Sequence, residues 1–391
     1  MINKQQHSKI RLLFLLQSFG TGGAEMQAVN LINGFNKNLF EISVIYLHNE
    51  TDLLKKINKS AIENRVFCLH AGRVIDSKAI KRLAAYSEKM NIDMVLCTNM
   101  YSLFYAWLAR LCSRQAPKTI EVFHSTNFGT WKDRLKMIVY YPLCWASDAL
   151  VYVCKNQHHF WQRRLLTARR TEIIYNGVDA SFFFNGYTAA QLSHFRDAYG
   201  MCQTDYIIGI CAFMRPEKYH RDLVQAIAMA QTDGLSVRAL FIGDGPERAN
   251  IERRISGLGL GSEIKVTGLL DDVRLAISAC DVMAITSHHV ETFSISALEA
   301  MLLSKPMIMS DIGGANEQVE HGETGFLYRA GDLPALARHV KTLADDHLRA
   351  EMGRRGRERA LKRYTLSKMI DGYSRLLQSL MTSDGVNHGH H

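Results

Sequence analysis

The chain has 391 residues, of which 47% are hydrophobic and 22% are charged. This length and composition predict two ordinary globular domains and exclude a largely disordered protein. The eight cysteines form no CxxC pair and no Cys/His cluster, which excludes a zinc ribbon or disulfide framework and favours a reducing, cytoplasmic location. The longest apolar region, residues 138–153, is interrupted by Pro142 and Asp148, so no transmembrane span is expected.

The net charge of +9 is unevenly distributed along the chain. Residues 1–185 contain 24 Lys and Arg against 13 Asp and Glu, whereas the remainder contains 23 against 25. Eleven basic residues stand against three acidic ones within residues 110–170, and aromatic residues are interleaved with them, among them Trp131, Tyr140, Tyr141, Trp145, Phe160 and Trp161. This region predicts a peripheral contact with an anionic membrane surface, although a solvated basic face fits as well. No nucleic-acid-binding motif occurs, so nucleic acid is not an expected partner.

The first half of the chain alternates predicted strands with predicted helices. It begins with a continuous apolar run at residues 10–16, which is typical of a central parallel strand. Further strands are predicted at 40–47, 66–70, 93–97, 118–124, 149–154 and 171–175. Helices are predicted at 24–35, 52–57, 78–90, 102–112, 131–145 and 155–166. The alternation predicts βαβ units around a parallel sheet.

The periodicity lapses at residues 180–204, where we place the domain junction, and then begins again. Strands are predicted at 206–212, 237–242, 264–267, 282–286, 306–310 and 325–328. Helices are predicted at 221–231, 248–258, 273–279, 315–319, 333–344, 348–363 and 367–381. The predicted fold class is therefore α/β, with two Rossmann-like doubly wound domains, 1–185 and 186–366, facing across a cleft. Residues 367–381 form a final helix, and residues 382–391 are predicted to be a disordered tail.

Two glutamates separated by seven residues, Glu291 and Glu299, follow the predicted strand 282–286. Glu299 interrupts an apolar run, where a charge is costly unless it has a partner. Ser294 or Ser296 can start a helix here, and Ser296 with Glu299 fits a capping box. Alternatively, both carboxylates hold hydroxyl groups of a ligand at the helix N-terminus. In a helix they would lie ~12 Å apart, wider than the ~5–9.5 Å of a glycosidase pair.

Glycine-rich turns follow several predicted strands. Gly22 and Gly23 stand where a phosphate would meet a helix N-terminus, although a tight turn alone also requires glycine. The dinucleotide fingerprint fails because Glu25 occupies its third glycine position, and Gly243-Asp244-Gly245 fails in the same way, so NAD is not expected. Gly313-Gly314 is predicted to shape the backbone.

Cations and a histidine also stand at predicted strand ends. Arg215 and Lys218 follow the strand 206–212, where they could neutralise a diphosphate or form a solvated turn. His124 ends the strand 118–124 and is either a hydrogen-bonding group beside a reacting sugar or a structural histidine. The acidic pairs lack D-x-D spacing, so no metal is indicated, and no cofactor is expected.

In their order along the chain, these segments resemble the retaining GT-B glycosyltransferases of family 4. The resemblance covers most of the chain. Its most specific part is the Glu291-x7-Glu299 motif. The other segments that carry it are Gly22-Gly23-Ala24-Glu25, Asn176-Gly177-Val178-Asp179, Arg215-Pro216-Glu217-Lys218, Gly243-Asp244-Gly245-Pro246, Gly268-Leu269-Leu270-Asp271-Asp272, Gly313-Gly314, Glu317 and Gly325-Phe326-Leu327.

The resemblance implies an acceptor-binding N-terminal domain, a C-terminal domain that binds a nucleotide-diphosphate sugar, and a final helix that crosses back to the N-terminal domain. It implies that Glu291 holds sugar hydroxyls and that Glu299 holds the ribose. Arg215 and Lys218 would clamp the diphosphate, and His124 would lie beside the donor sugar. The remaining implied donor-binding residues are Gly22, Gly23, Gly268, Phe293, Ser294 and Ile295.

Three positions depart from the family pattern. Phe213 stands where many relatives have arginine, so the role of Arg215 is less secure than that of Lys218. Tyr219 replaces a common glycine. Thr292 also replaces a common glycine, which could narrow the choice of donor.

The expected activity is transfer of a hexose-type sugar, without metal and with retention, from a UDP- or GDP-linked donor to a glycan or lipid-linked acceptor. The expected site of action is the inner face of the cytoplasmic membrane, in cell-surface polysaccharide or glycolipid synthesis. Two alternatives remain open: a nucleotide-sugar epimerase of the same fold, and a non-catalytic nucleotide-sugar-binding protein.

Overall fold

The computed structural model describes residues 9–63, 65–72, 74–125 and 131–382, which form two compact units. Unit 1 contains the described residues up to His124, those from 131 to Tyr175, and those from Leu366 onward. Unit 2 contains Ser125 and Asn176–Thr365. Each unit has its own parallel sheet, as the alternating pattern predicts.

Unit 1 is built on a parallel sheet whose strands lie in the order β3-β2-β1-β4-β5-β6-β7. The strands are β1 Ile10–Leu16, β2 Phe40–Tyr46, β3 Val66–Cys68, β4 Met94–Cys97, β5 Lys118–Phe123, β6 Ala149–Tyr152 and β7 Thr171–Ile173. The helices are α1 Gly23–Gly34, α2 Ser77–Lys89, α3 Met100–Leu111, α4 Trp131–Ala146, α5 Lys155–Gln162 and, from the end of the chain, α14 Leu366–Thr382.

Unit 2 repeats this arrangement with the strand order β10-β9-β8-β11-β12-β13. The strands are β8 Ile207–Cys211, β9 Arg238–Ile242, β10 Ile264–Gly268, β11 Val282–Ile285, β12 Met307–Ser310 and β13 Gly325–Tyr328. The helices are α6 Ala189–Ala198, α7 His220–Thr232, α8 Arg248–Gly257, α9 Arg274–Ala279, α10 Ile295–Leu302, α11 Ala315–Gln318, α12 Leu333–Thr342 and α13 Asp346–Arg363.

Burial of the central strands explains their continuous apolar sequences. β1 pairs in parallel with β2, with Ile10 opposite Phe40, and with β4, with Leu12 opposite Met94. Residues 12–16 are fully buried. A strand that is covered by helices on both faces has no solvent side, so the hydrophobic alternation of an exposed sheet is absent.

The change from unit 1 to unit 2 falls at Tyr175–Asn176 rather than between residues 185 and 186. The segment after Tyr175 packs with unit 2 because Asn176 Nδ2 donates to the carbonyl of Phe293 at 3.2 Å and the Val178 amide donates to Tyr364 at 3.0 Å. The interval 180–204, predicted to be irregular, contains helix α6, which begins with a capping box between Thr188 and Gln191. Residues 52–57, predicted to be a helix, contain only a 3-10 turn, Leu54–Lys56.

Helix α14 packs against α1 within unit 1. Gln27 Nε2 donates to the hydroxyl of the buried Tyr373 at 3.3 Å. Gly34 has no room for a side chain because a Cβ there would overlap Ile370. The last helix therefore belongs to the first unit by contact, although it is last in the sequence. Of the predicted disordered tail, residues 382–391, Thr382 is the last residue of α14, and residues 383–391 lie outside the described part of the chain.

Candidate active site

The candidate site lies at the carboxyl ends of β8 and β11, the two neighbouring strands at the centre of the unit 2 sheet. The chain leaves β8 toward β9 on one side and leaves β11 toward β12 on the other. This reversal of strand order opens a crevice between the two following loops, which is where doubly wound sheets bind ligands. The β8 loop carries Arg215 and Lys218, and the β11 loop carries Glu291.

Lys218 and Glu291 meet at this point. Lys218 Nζ lies 2.6 Å from Glu291 Oε2, and Ser287 Oγ donates to the same oxygen at 3.2 Å. The Glu291 side chain is 11% exposed and that of Lys218 is 27% exposed, so the pair is only partly shielded from water. The structure thus brings together two side chains that are 73 positions apart in the sequence.

Lys218 is held by a tight turn. It ends the 3-10 helix Pro216–Lys218, and Tyr219 then adopts left-handed backbone angles, with φ 48° and ψ 42°. The buried hydroxyl of Thr286 donates to the carbonyls of Lys218 and Tyr219, at 2.9 and 3.1 Å. Glycine adopts positive φ without steric cost, so this conformation agrees with the glycine that the family resemblance implies at the position of Tyr219.

The backbone that follows Glu291 is clamped by several polar contacts. The buried Gln318 accepts from the Ser294 amide at 3.1 Å and donates to the Ser294 carbonyl at 2.7 Å. The Gly314 amide donates to Thr292 at 2.7 Å. Gly313 has φ 56°, and a Cβ there would overlap the carbonyl oxygen of Glu291, which confirms that this glycine shapes the backbone.

Helix α10 begins differently from the predicted capping box. Ser294 is the N-cap, and its Oγ accepts from the Ala297 amide at 3.3 Å. Ser296 lies inside the first turn, so the capping box of Ser296 with Glu299 is wrong. Glu299 lies in the body of the helix, half-buried. Burial and the negative charge of Glu299 both raise the pKa of the Cys211 thiol at the end of β8.

Arg215 has different neighbours from Lys218. Its guanidinium lies 5.1 Å from the centre of the Phe213 ring. It lines a pocket between the β8 loop and α8, together with Arg221, Glu247 and Arg254. Arg215 therefore contributes to a basic pocket beside the Lys218 turn.

Gly268 ends β10, which is separated from β8 by β9 in the same sheet. It has φ 73°, and its carbonyl accepts from the Gly243 amide at 3.1 Å. A Cβ on Gly268 would lie 3.5 Å from Arg248 Nη1, which itself lies 2.8 Å from Asp244 Oδ2. The Gly245 amide and Arg248 hold the pKa of Asp244 below its ordinary value.

Phe293 and Ile295 flank the Ser294 cap in unit 2, whereas Gly22, Gly23 and His124 lie in unit 1. Gly22 is the N-cap of α1 in an extended conformation, and Gly23 is the first helical residue. A Cβ on Gly22 would overlap the carboxylate of Glu25, so an acidic side chain lies against the turn where a phosphate was expected. His124 follows β5, and burial lowers its pKa to about 4, which leaves the ring neutral at pH 7.

Sequence reasoning missed the contacts of Gln318 with Ser294 and of Asn176 with Phe293. These contacts join segments far apart in the chain, and only the glycine pair at 313–314 signals them. Among the described residues, no helix is long and apolar enough to cross a bilayer. Likewise, no group of three or more His, Cys, Asp or Glu side chains in that part of the chain could hold a metal ion.

Two family models match the chain in succession. Residues 21–182 match "Glycosyltransferase Family 4", and residues 194–359 match "Glycosyl transferases group 1". The chain is 28% identical over 313 residues to N-acetyl-alpha-D-glucosaminyl L-malate synthase of Bacillus anthracis, covering 79% of this chain and 80% of the relative. It is 27% identical over 280 residues to the putative glycosyltransferase EpsD of Bacillus subtilis. That match covers 68% of this chain and 73% of the relative.

The fold is also similar to that of Anabaena HepE, solved in complex with UDP and glucose. The TM-score is 0.82 at 22% identity, and the match covers 95% of this chain and all of that one. With two Rossmann-like units and two consecutive family matches, the chain belongs to the GT-B glycosyltransferases of family 4, and its activity is glycosyl transfer in polysaccharide or glycoconjugate biosynthesis.

Proposed function

We propose that the protein transfers a hexose-type sugar, with retention at the anomeric carbon, from a nucleotide-diphosphate sugar to a glycan or lipid-linked acceptor. The observation that carries the proposal is the pair of Lys218 and Glu291 in the crevice between β8 and β11. A cation there matches a diphosphate, and a carboxylate accepts hydrogen bonds from sugar hydroxyls. Retention rests on the family resemblance alone.

Each donor-binding residue has a proposed partner. Lys218 and Arg215 hold the diphosphate, Glu291 holds hydroxyls of the transferred sugar, and Glu299 holds the ribose. The amides of Phe293 and Ile295 at the N-terminus of α10 also face the diphosphate in this proposal. The Ser294 amide is taken by Gln318, so Ser294 acts as the cap of α10 rather than as an amide donor to the ligand.

Gly268 lies beside the nucleoside in the proposed complex. In unit 1, Gly22 and Gly23 approach the diphosphate, and the neutral ring of His124 hydrogen-bonds with the donor sugar. These four roles are proposed from the family resemblance.

The chemical step exchanges one bond of the anomeric carbon for another. The bond to the diphosphate oxygen breaks, a bond to the acceptor hydroxyl oxygen forms, and the hydroxyl proton is released. The nucleoside diphosphate leaves with the negative charge, which Lys218 and the N-terminus of α10 stabilise. We propose that this stabilisation takes the place of a metal ion.

The relatives support a nucleotide-sugar donor. HepE was solved with UDP and glucose, and the Bacillus anthracis relative is named for transfer of an N-acetylglucosaminyl group. UDP- and GDP-linked sugars are both candidates for this chain, and no other cofactor is proposed.

The test is a panel of nucleotide sugars incubated with and without lipid-linked and soluble glycan acceptors. Free nucleoside diphosphate together with a glycosylated acceptor supports the transferase. A new nucleotide sugar would instead support the epimerase, and binding without turnover would support a sensor. Glu299→Ala should weaken binding of the matching nucleoside diphosphate about tenfold or more, since hydrogen bonds to a charged group contribute ~1.5–3 kcal/mol each. Unchanged binding would remove Glu299 from the donor site.

The membrane partner is part of the same proposal and rests on helix α4. Met137, Tyr140 and Cys144 on one side of this helix are buried in unit 1. The opposite side presents an apolar stripe, with Leu135, Ile138, Val139 and Trp145 between 50% and 70% exposed. At 3.6 residues per turn, these four positions fall within about one third of the helix circumference and so share one face.

Basic residues border this stripe. Trp145 Nε1 donates to the carbonyl of Leu165 at 2.8 Å, which places the stripe beside the exposed Arg163 and Arg164. Lys136 is exposed on α4 itself. An apolar face edged by cations matches the interface of an anionic bilayer. We propose that the protein is peripheral there, on the inner face of the cytoplasmic membrane, where a lipid-linked acceptor would be available.

Vesicle sedimentation tests this surface. The protein should bind vesicles that contain anionic phosphatidylglycerol, less strongly at high salt, and should not bind neutral phosphatidylcholine vesicles. Ile138→Ser should weaken binding severalfold, whereas Leu258→Ser, at an exposed leucine of unit 2, should not. Binding that ignores both salt and lipid charge would contradict the proposal.

A further inference from the structure

The turn that carries Lys218 contains a residue whose backbone conformation is energetically unfavourable. Tyr219 is one of the non-glycine residues with positive φ, at 48°. Left-handed backbone angles are unfavourable for a residue with a side chain, because its Cβ approaches the following carbonyl oxygen. A tyrosine at this position therefore needs contacts in the folded protein that a glycine would not provide.

Those contacts come from the β11 loop and from α7. The rings of Tyr219 and His288 stack with their centres 3.5 Å apart and their planes 8° apart. The guanidinium of Arg221 lies on the Tyr219 ring as well, 4.4 Å from its centre. His288 Nε2 lies 2.5 Å from Asp222 Oδ2, and the Asp222 side chain is buried.

These side chains join the two loops of the candidate site. Tyr219 directly follows Lys218, and His288 stands three residues before Glu291. The His288 amide also donates to the Glu217 carbonyl at 3.3 Å. Stacking, side-chain bonding and backbone bonding thus act between the same two segments that the Lys218–Glu291 ion pair connects.

We propose that Tyr219, His288 and Asp222 form a positioning unit that fixes the distance between Lys218 and Glu291. This inference rests on the proposed function, in which a donor diphosphate takes Lys218 and a sugar takes Glu291. A bound donor must then weaken the direct ion pair between Lys218 and Glu291. The stacked rings keep the distance between the β8 and β11 loops constant while the donor occupies both side chains.

The test uses the full chain and measures UDP and GDP binding by calorimetry, with thermal unfolding in parallel. Tyr219→Gly removes the stack but suits the backbone angles, so it should weaken binding of the preferred nucleotide about tenfold without lowering the unfolding temperature. Tyr219→Phe keeps the stacked ring and should stay within about twofold of the wild-type affinity.

His288→Ala should weaken binding about as much as Tyr219→Gly. Its matched control is His339→Ala in the same unit, since His339 stacks on Phe326 with centres 4.5 Å and planes 7° apart, away from the β8 and β11 loops. That control should leave nucleotide affinity unchanged. Equal losses in the two alanine variants would assign the effect to general stability and overturn the positioning role.

Lys218→Met separates this inference from the proposed function. If Lys218→Met abolishes binding while Tyr219→Gly binds like the wild type, the positioning unit is overturned and the donor site stands. If Lys218→Met also binds both nucleotides like the wild type, the donor site itself is wrong, and with it the role given to Tyr219.

Discussion

The two units share a strand order but present opposite charges at the turn after their first strands. In unit 1, carboxylates surround the glycine turn after β1: Ser18 Oγ donates to Glu50 at 2.8 Å, Thr21 Oγ1 donates to Asp52 at 3.3 Å, and Glu25 lies against Gly22. In unit 2, the corresponding turn after β8 carries Arg215 and Lys218, and Lys218 pairs with Glu291 from the β11 loop. The same topology therefore supports two different chemistries.

The difference indicates what each crevice can bind. Carboxylates repel a diphosphate and accept hydrogen bonds from hydroxyl groups, whereas a lysine attracts the diphosphate. The fold supplies a crevice at the carboxyl ends of the strands in both units, and the side chains after those strands decide which ligand enters it. The proposed function agrees with this difference, since it places the nucleotide donor on unit 2 and a hydroxyl-bearing acceptor on unit 1.

Of the variants that test this difference between the units, the replacement of Lys218 should change nucleotide affinity most. Lys218→Met keeps the length of the side chain but removes the cation, and it leaves the Glu291 carboxylate without its ion-pair partner. We expect about 100-fold weaker binding of UDP or GDP, or ~2.7 kcal/mol. Lys341→Met is the control, since Lys341 also pairs with a carboxylate, that of Asp233, but at an exposed site. Equal affinities of the two variants would show that unit 2 does not owe its charge preference to Lys218.

The second test concerns the backbone that presents Glu291. Gly313→Ala would place a Cβ against the Glu291 carbonyl, whereas Gly259→Ala, at a similar positive φ, meets open space. Both variants share the conformational cost, so the clash should add about 2 kcal/mol of destabilisation to Gly313→Ala alone. Chemical denaturation of both variants measures this difference. A smaller loss of unfolding free energy in Gly313→Ala than in Gly259→Ala would contradict the close packing of the β12 loop, which carries Gly313, against the β11 loop, which carries Glu291.

These two tests use residues that the sequence predicted to different extents. The strands of both units follow from continuous apolar runs, and Glu299 stands out because a charge rarely interrupts such a run. Lys218 and Gly313 were identified as turn residues after strands. Local pattern therefore predicted the strand ends, and with them most of the candidate site.

Contacts between distant segments could not be predicted in this way. Helix α6 was missed because its sequence is polar and its residues are largely exposed, so it lacks the hydrophobic period. Ser294 and Ser296 are equally good caps in sequence, and Gln318 decides between them by binding the Ser294 peptide. The stack of Tyr219 on His288 joins residues from two loops, and no local pattern indicates which rings will meet.

A third prediction concerns His124 in unit 1. Burial lowers the pKa of His124 to about 4, so the ring stays neutral as the pH falls from 8 to about 5. His124→Asn should slow transfer by about tenfold if the ring bonds with the donor sugar. The ratio of wild-type to variant rates should stay constant over that pH range, measured with the donor that the nucleotide-sugar panel identifies. A ratio that changes with a midpoint near the ordinary histidine pKa of ~6.5 would show that His124 acts while protonated.

The smallest expected effect tests whether the donor also reaches unit 1. Glu25 is an acidic residue in the first turn of α1, against Gly22, so its carboxylate competes with any phosphate at that helix N-terminus. If Gly22 and Gly23 approach the diphosphate, Glu25→Gln should strengthen UDP or GDP binding about threefold at low salt, or ~0.6 kcal/mol. Glu172→Gln in the same unit, at a carboxylate paired with Arg170, is the control. A gain in both variants would reflect net charge, and no gain in Glu25→Gln would confine the diphosphate to unit 2, which makes the contrast between the two turns complete.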